Sequence, residues 1–164
     1  MKKILMIQMI LFAGALFAAP VTYLDANGKI TGTASTDGSI TTYRDAAGKI
    51  IGTSHQSGSR IIYRNAHGRL IGTAAQSGNL TTYRDAHDRI SGSATNDGGK
   101  ITYRDRNSRI VGTATPSGNK TTYQDASGKL TGSVSIGENN DFTRDAFFYV
   151  QKSSKNDFRI GFPE

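Results

Sequence analysis

The chain has 164 residues, contains 19 glycines and carries a formal net charge of +7 at pH 7. Hydrophobic residues make up 36% of it, and fourteen of them lie in the first eighteen positions, so the remainder is too poor in apolar residues for a deep two-layer core. The absence of cysteine excludes a disulfide scaffold, a thiolate metal site, a cysteine nucleophile and a cysteine-anchored lipoprotein.

Residues 1–18 have the three-part layout of a secretory signal peptide. Two lysines precede an apolar run at 4–17, and small residues follow it. The run is shorter than the ~20 residues that span a bilayer as a helix. We expect cleavage after Ala18, with Ala15 as the alternative, and a secreted or periplasmic mature protein without a transmembrane helix.

Residues 21–136 repeat a pattern of twenty residues six times without an insertion. The unit reads T-x-Y-R-D-A-x-G-[KR]-[IL]-x-G-[TS]-A-x-x-x-G-x-x. A fixed period of this length is typical of repeat architectures, in which each unit contacts mainly its neighbours. The tyrosines that mark the units are Tyr23, Tyr43, Tyr63, Tyr83, Tyr103 and Tyr123.

Glycine recurs about every ten residues, and each glycine closes a predicted turn. We expect Gly48 to take the left-handed conformation at the end of a type I turn that the Asp45 side chain caps. The segment 115–118 fits the same turn, with its proline at the position that needs a fixed φ. Asp88 and Ser108 replace the glycine in two units, and serine tolerates this conformation less well, so Ser108 is an expected weak spot.

The segments between turns are rich in threonine, tyrosine, isoleucine and valine and contain no glutamate, which predicts strands. A glycine bulge in the turn predicts three cross-strand pairs: Asp45 with Lys49, Arg44 with Ile50, and Tyr43 with Ile51. The arginines and tyrosines then lie on opposite faces. We predict an all-β, elongated antiparallel meander of hairpins that is solvated on both faces, with a parallel β-solenoid as the alternative.

Residues 137–164 differ in composition, with five phenylalanines after none in the repeats. Parts of the repeat pattern persist there. We interpret this segment as a degenerate seventh repeat that caps the open end of the sheet, with a tail for partner binding or secretion as the alternative.

The runs Asp45-Ala46-Ala47-Gly48-Lys49-Ile50 and Asn65-Ala66-His67-Gly68-Arg69-Leu70 resemble the RHS/YD-repeat family. The resemblance covers residues 21–136 and implies β-hairpin ribbons. The chain departs from the family because one residue, usually an arginine or a glutamine, separates tyrosine from aspartate, which moves the tyrosine to the other face. Large members of the family wrap a toxin in a shell, and six units are too few for that, so we carry over the fold and not the toxin-delivery role.

No catalytic constellation stands out, because the aspartates are accounted for as turn caps and register partners. We expect no enzyme activity, no metal site and no cofactor. His67 and His87 occupy the same turn position in successive units. In a meander such positions are ~10 Å apart, too far to share a metal ion, whereas in a solenoid they would stack at ~5 Å.

A regular row of arginines suits a polyanion, and a row of tyrosines suits stacking against sugar rings. In a purely structural interpretation the arginines only solubilise the sheet and cover its aliphatic residues. We predict a non-enzymatic binding or adhesion module for cell-envelope polymers, polyanions or glycans, without a specific nucleic-acid partner. The alternative is a fibre-like protein that self-associates through strand edges. The candidate ligand-binding residues are Arg44, Arg64, Arg84, Arg104, Tyr43, Tyr63, Tyr83 and Tyr103.

Overall fold

The computed structural model describes residues 20–136, together with the backbone of four two-residue strands outside that range. Two of these, β1 (Gln8–Met9) and β14 (Ala146–Phe147), pair antiparallel, as do β15 (Gln151–Lys152) and β16 (Phe158–Arg159). The predicted signal peptide (1–18) and capping repeat (137–164) otherwise lie outside the described residues.

Twelve strands of five to eight residues occupy the range 20–136. They are β2 (Val21–Asp25), β3 (Ile30–Asp37), β4 (Ile40–Asp45), β5 (Ile50–Ser57), β6 (Arg60–Asn65), β7 (Leu70–Ser77), β8 (Leu80–Asp85), β9 (Ile90–Asp97), β10 (Lys100–Asp105), β11 (Ile110–Ser117), β12 (Lys120–Asp125) and β13 (Leu130–Ile136). Each pairs antiparallel with the next along the chain, which confirms the predicted meander of hairpins.

The meander closes into a barrel, because β13 pairs antiparallel with β2. The prediction of an open, elongated sheet is therefore wrong, and so is the parallel solenoid. The sheet end that the C-terminal segment was expected to cover is occupied by β2.

The hairpin register explains the closure. Val21 pairs with Ala34, and Ala34 pairs with Tyr43, which lies two residues beyond the position equivalent to Val21 in the next hairpin. Each hairpin therefore shifts the register by two residues. Six hairpins accumulate a shear of twelve, equal to the number of strands, which corresponds to a strand tilt of about 36°. A bulge beside each tyrosine, as between Tyr43 and Arg44, adds the twist and bend that a closing sheet needs.

At one end of the barrel the strands are joined by three-residue turns. The Asp45 N–H donates to the Lys49 carbonyl at 2.9 Å, the Gly48 N–H donates to the Asp45 carbonyl at 3.0 Å, and Gly48 has φ +82°. Asp88 and Ser108 take the same conformation at φ 63° and 62°, as predicted. Hereafter this end is called the three-residue-turn end.

The predicted pairing near this turn is partly right. Arg44 lies opposite Ile50, as expected. Tyr43 lies opposite Gly52 and not Ile51, because the bulge leaves Ile51 as the extra residue on its strand.

The other end of the barrel uses two-residue loops. Ser57 pairs with Arg60 across Gly58 and Ser59. Gly58 has φ +58° and Ser59 has no positive φ, which is the pattern of a type II′ turn. The prediction that Pro116 occupies a turn is wrong, because Pro116 lies in β11 opposite Thr121. The reason is that a two-residue II′ loop matches the right-handed twist of the strands.

The six tyrosines fill the interior of the barrel, each with 1–4% of its surface exposed. Small residues make room for the rings: Tyr43 lies opposite Gly52 on one neighbouring strand and Ala34 on the other. Ile51 packs against this core, which confirms that it shares a face with the tyrosines. The prediction of a sheet solvated on both faces is wrong, because closure buries the tyrosine face.

The outer wall is polar with isolated aliphatic side chains. Those most exposed, at 41–51% of their surface, are Ile30, Ile40, Ile50, Leu80, Ile90, Ile110 and Leu130. Within the part of the chain that the structure describes, no helix is long and apolar enough to cross a membrane.

Candidate functional site

The four candidate arginines lie on the outer wall, and each braces the turn that follows it. The Nη1 atom of Arg44 donates to the Gly48 carbonyl at 3.0 Å, and that of Arg64 donates to the Gly68 carbonyl at 2.9 Å. Arg84 and Arg104 make the same contact with the carbonyls of Asp88 (2.8 Å) and Ser108 (3.2 Å). A guanidinium has five N–H donors, so one bond to the turn orients the group and leaves donors for an anionic ligand.

These arginines belong to four consecutive hairpins of the six, so they form an arc around about half of the barrel. Neighbouring arginines are two strands apart, or ~10 Å along the wall. Leu24 and Gln124 take the equivalent positions in the two remaining hairpins, beside the β2–β13 seam. The sequence therefore predicts the row correctly, and closure bends it into an arc.

The aspartates of the turns act as caps. The Oδ1 atom of Asp45 accepts the N–H groups of Ala47 and Lys49, both at 2.9 Å. Asp25, Asn65, Asp85, Asp105 and Asp125 cap their turns in the same way. The predicted capping is confirmed, and the predicted contact with the basic residue is made through that residue's backbone N–H.

The Asp85 carboxyl shows the electrostatic effect of this turn. Desolvation raises the pKa of Asp85, but the N–H donors of Arg89 and His87 and the positive charge of both side chains outweigh it. The net pKa of Asp85 lies below its usual value. The carboxyl is thus held ionised as a cap, which is a structural role.

The four candidate tyrosines do not form an open surface. Tyr43, Tyr63, Tyr83 and Tyr103 point into the barrel and are buried. Burial raises the pKa of Tyr43 and Tyr83 far above the usual value, and the hydrogen bond to the Ser54 hydroxyl partly opposes this at Tyr43. An exposed ring face is needed for stacking against a sugar, so the tyrosines are core residues in this fold.

The sequence interpretation missed a strongly basic part of the wall. Residues 46–84, which form β5, β6, β7 and all of β8 but its last residue, contain no aspartate or glutamate. We call this surface the acid-free wall. Its basic residues are Lys49, Arg60, Arg64, Arg69 and Arg84. The gap between Asp45 and Asp85 is readable in the sequence, but only the topology shows that it covers one continuous side of the barrel.

The two turn histidines, His67 and His87, are exposed on adjacent hairpins of the three-residue-turn end. Among residues 20–136, no group of three or more histidine, cysteine, aspartate or glutamate side chains is arranged to hold a metal ion.

Comparisons with known proteins add little to this description. No family model matches the chain, and no curated protein matches it. A crystal structure of a protein from Arabidopsis thaliana is similar with a TM-score of 0.48 and 12% identity, covering 74% of this chain and 81% of that one. The resemblance to the RHS/YD-repeat family stays a prediction.

Proposed function

We propose that this protein is a non-enzymatic, secreted or periplasmic module that binds anionic polymers or surfaces of the cell envelope. In this proposal six tandem twenty-residue hairpin units form the barrel, and the arc of Arg44, Arg64, Arg84 and Arg104 is the contact surface. The observation that carries the proposal is the brace at each arginine: the same Nη1 bond to the turn carbonyl orients all four guanidinium groups.

Charge complementarity supports this proposal. Eleven basic residues and six acidic ones lie in the three-residue turns and on the adjoining arginine positions. The turn aspartates are engaged as caps by backbone N–H groups, which offsets part of their negative charge. The net positive charge of this end therefore favours an anionic partner.

Fibre formation through strand edges is the weaker candidate. Such assembly needs a free edge with unpaired backbone groups. In the barrel, β2 and β13 pair with each other, so neither terminal strand of the meander is left open. We therefore retain binding as the proposed function.

The test is a binding assay of the purified protein with inorganic polyphosphate, run at several salt concentrations. Replacing Arg44, Arg64, Arg84 and Arg104 with glutamine should weaken binding by about tenfold or more and flatten its salt dependence. The matched control replaces Lys29, Lys100, Lys120 and Lys129 with glutamine, which removes the same charge at positions outside the arginine arc. Equal losses in the two variants would show that net charge, and not the arginine arc, drives binding.

A lysine variant at the same four positions separates charge from geometry. Lysine keeps the positive charge but lacks the planar fork that the brace orients. Partial recovery of affinity is expected. Full recovery would contradict the role of the oriented guanidinium groups, and thermal melts of all variants check that the barrel is folded.

A further inference from the structure

We propose that the acid-free wall docks side-on onto a lipid bilayer with anionic headgroups. This inference rests on the proposed function, because it names the anionic partner and the part of the barrel that meets it. Three features of the wall carry it: charge, exposed aliphatic residues and shape.

Most of the net positive charge of the barrel lies on this wall. The sequence has fourteen basic and eight acidic residues between positions 20 and 136. Five of the basic residues and none of the acidic ones lie on the acid-free wall, which leaves nine basic against eight acidic on the rest. The rest of the barrel is thus nearly neutral. Arg84, at the edge of the wall, pairs with Asp88 (Nε to Oδ1, 3.9 Å), so the attraction of the wall for an anionic surface comes mainly from Lys49, Arg60, Arg64 and Arg69.

The same wall also carries aliphatic side chains between its charges. Ile50 and Leu80 expose 41% and 42% of their surface. Ile62 points outward from β6, at a position where the other five hairpins carry threonine. Ala75 is exposed at a position where the other hairpins carry polar residues. A soluble polyanion has no apolar surface against which these side chains can be buried, whereas a bilayer has an apolar layer beneath its headgroups.

The shape of the wall suits a flat partner. The arginine arc turns through about half of the barrel, so a flat surface can meet only the part of the arc that lies on the acid-free wall, whereas a flexible polymer such as polyphosphate can follow all of it. The four strands β5 to β8 are neighbours, and at ~4.8 Å per strand they offer a patch ~19 Å wide on one side. Arg60 lies at the two-residue-loop end and Lys49 and Arg69 at the other, so charge is spread along the full height of that patch.

The experiment is flotation of the purified protein with vesicles of phosphatidylcholine alone or with phosphatidylglycerol, at about 0.15 M salt. We expect binding only to the anionic vesicles. The variant Lys49→Gln/Arg60→Gln/Arg69→Gln should lose roughly a hundredfold in vesicle affinity, at about fivefold per basic residue. The matched control, Lys29→Gln/Lys120→Gln/Lys129→Gln, removes three exposed charges from the opposite side and should lose far less.

A second variant tests the lipid itself. Ile62→Thr/Leu80→Gln keeps every charge, and threonine is what the other hairpins carry at the first position. It should weaken vesicle binding several-fold and leave polyphosphate binding unchanged. An unchanged vesicle affinity would overturn the lipid assignment.

The outcomes separate the two proposals. Binding to polyphosphate without binding to anionic vesicles, or equal losses in the wall variant and its control, would overturn the docking inference and leave the proposed function standing. Binding to neither partner would overturn both.

Discussion

A buried phenol gains stability from a hydrogen-bond partner, and two tyrosines of the barrel differ in this respect. The Tyr43 hydroxyl lies 3.0 Å from the Ser54 hydroxyl in the interior. The Tyr83 hydroxyl is buried and has no hydrogen-bond partner in the described part of the protein. The sequence explains the difference, because the residue eleven positions after the tyrosine is Ser54 in one case and Ala94 in the other.

The pair gives opposite predictions for the same substitution. Tyr83→Phe removes a buried hydroxyl that no protein group pairs with and should raise the free energy of unfolding by about 1 kcal/mol. Tyr43→Phe breaks a hydrogen bond, leaves the Ser54 hydroxyl buried and should lower it by about 1–2 kcal/mol. Denaturant unfolding measures both.

The control for this pair is Ala94→Ser, which supplies the missing hydroxyl. In the Ala94→Ser background, Tyr83→Phe should no longer stabilise. Equal effects of the two tyrosine substitutions in the wild-type background would contradict the assignment.

At the scale of the residue the sequence is a good guide to the turns and a poor one to the core. The aspartate caps and the left-handed residues at Asp88 and Ser108 follow from local backbone chemistry, within five consecutive residues. The burial of the tyrosines depends on strands far apart in the chain, so a local pattern cannot predict it.

Strand β9 approaches its neighbour β10 closely at the glycine opposite Tyr83. Gly92 lies opposite Tyr83 on one side and Asp105 on the other. A Cβ atom at Gly92 would lie 2.5 Å from the backbone carbonyl oxygen of Arg104, which cannot move without shifting β10. This glycine is needed for the space it leaves between strands, and not for an unusual φ.

We therefore expect Gly92→Ala to lower the free energy of unfolding by about 2–3 kcal/mol. Gly58→Ala serves as the comparison, because an added Cβ there meets nothing within 4 Å and the cost comes only from φ +58°, about 1 kcal/mol. Thermal or denaturant unfolding ranks the two variants. A Gly92→Ala protein as stable as wild type would contradict the close approach of the strands.

At the scale of the element the sequence predicts strands, antiparallel order and one of the two kinds of turn. It misplaces Pro116, because a type I turn and a type II′ loop both place glycine close to where the chain reverses. The choice between them depends on the twist of the flanking strands, which a single turn sequence does not reveal.

At the scale of the whole molecule, closure decides what each face does. An open sheet would present the tyrosines and arginines on two solvated faces, whereas the barrel buries the first set and exposes the second. Closure arises from a register shift of two residues that each hairpin repeats. Closure is a property of all six hairpins together and is not visible in one of them, so the sequence pattern predicts the hairpins without predicting the barrel.

The most direct test of the barrel is a disulfide across its seam. Thr22 of β2 and Ser135 of β13 lie opposite one another, at the Cα separation of antiparallel neighbours, which a disulfide can bridge. The chain has no cysteine of its own, so Thr22→Cys/Ser135→Cys introduces one defined pair. In the control, Thr22→Cys/Ser93→Cys, the second cysteine is on β9, at least five strands away.

If the barrel is closed, mild oxidation should form an intramolecular disulfide in the seam variant and none in the control. Both proteins should remain monomeric on a non-reducing gel. Free thiols in the seam variant, or disulfides that join separate chains, would contradict closure and with it the placement of the tyrosines inside and the arginines outside.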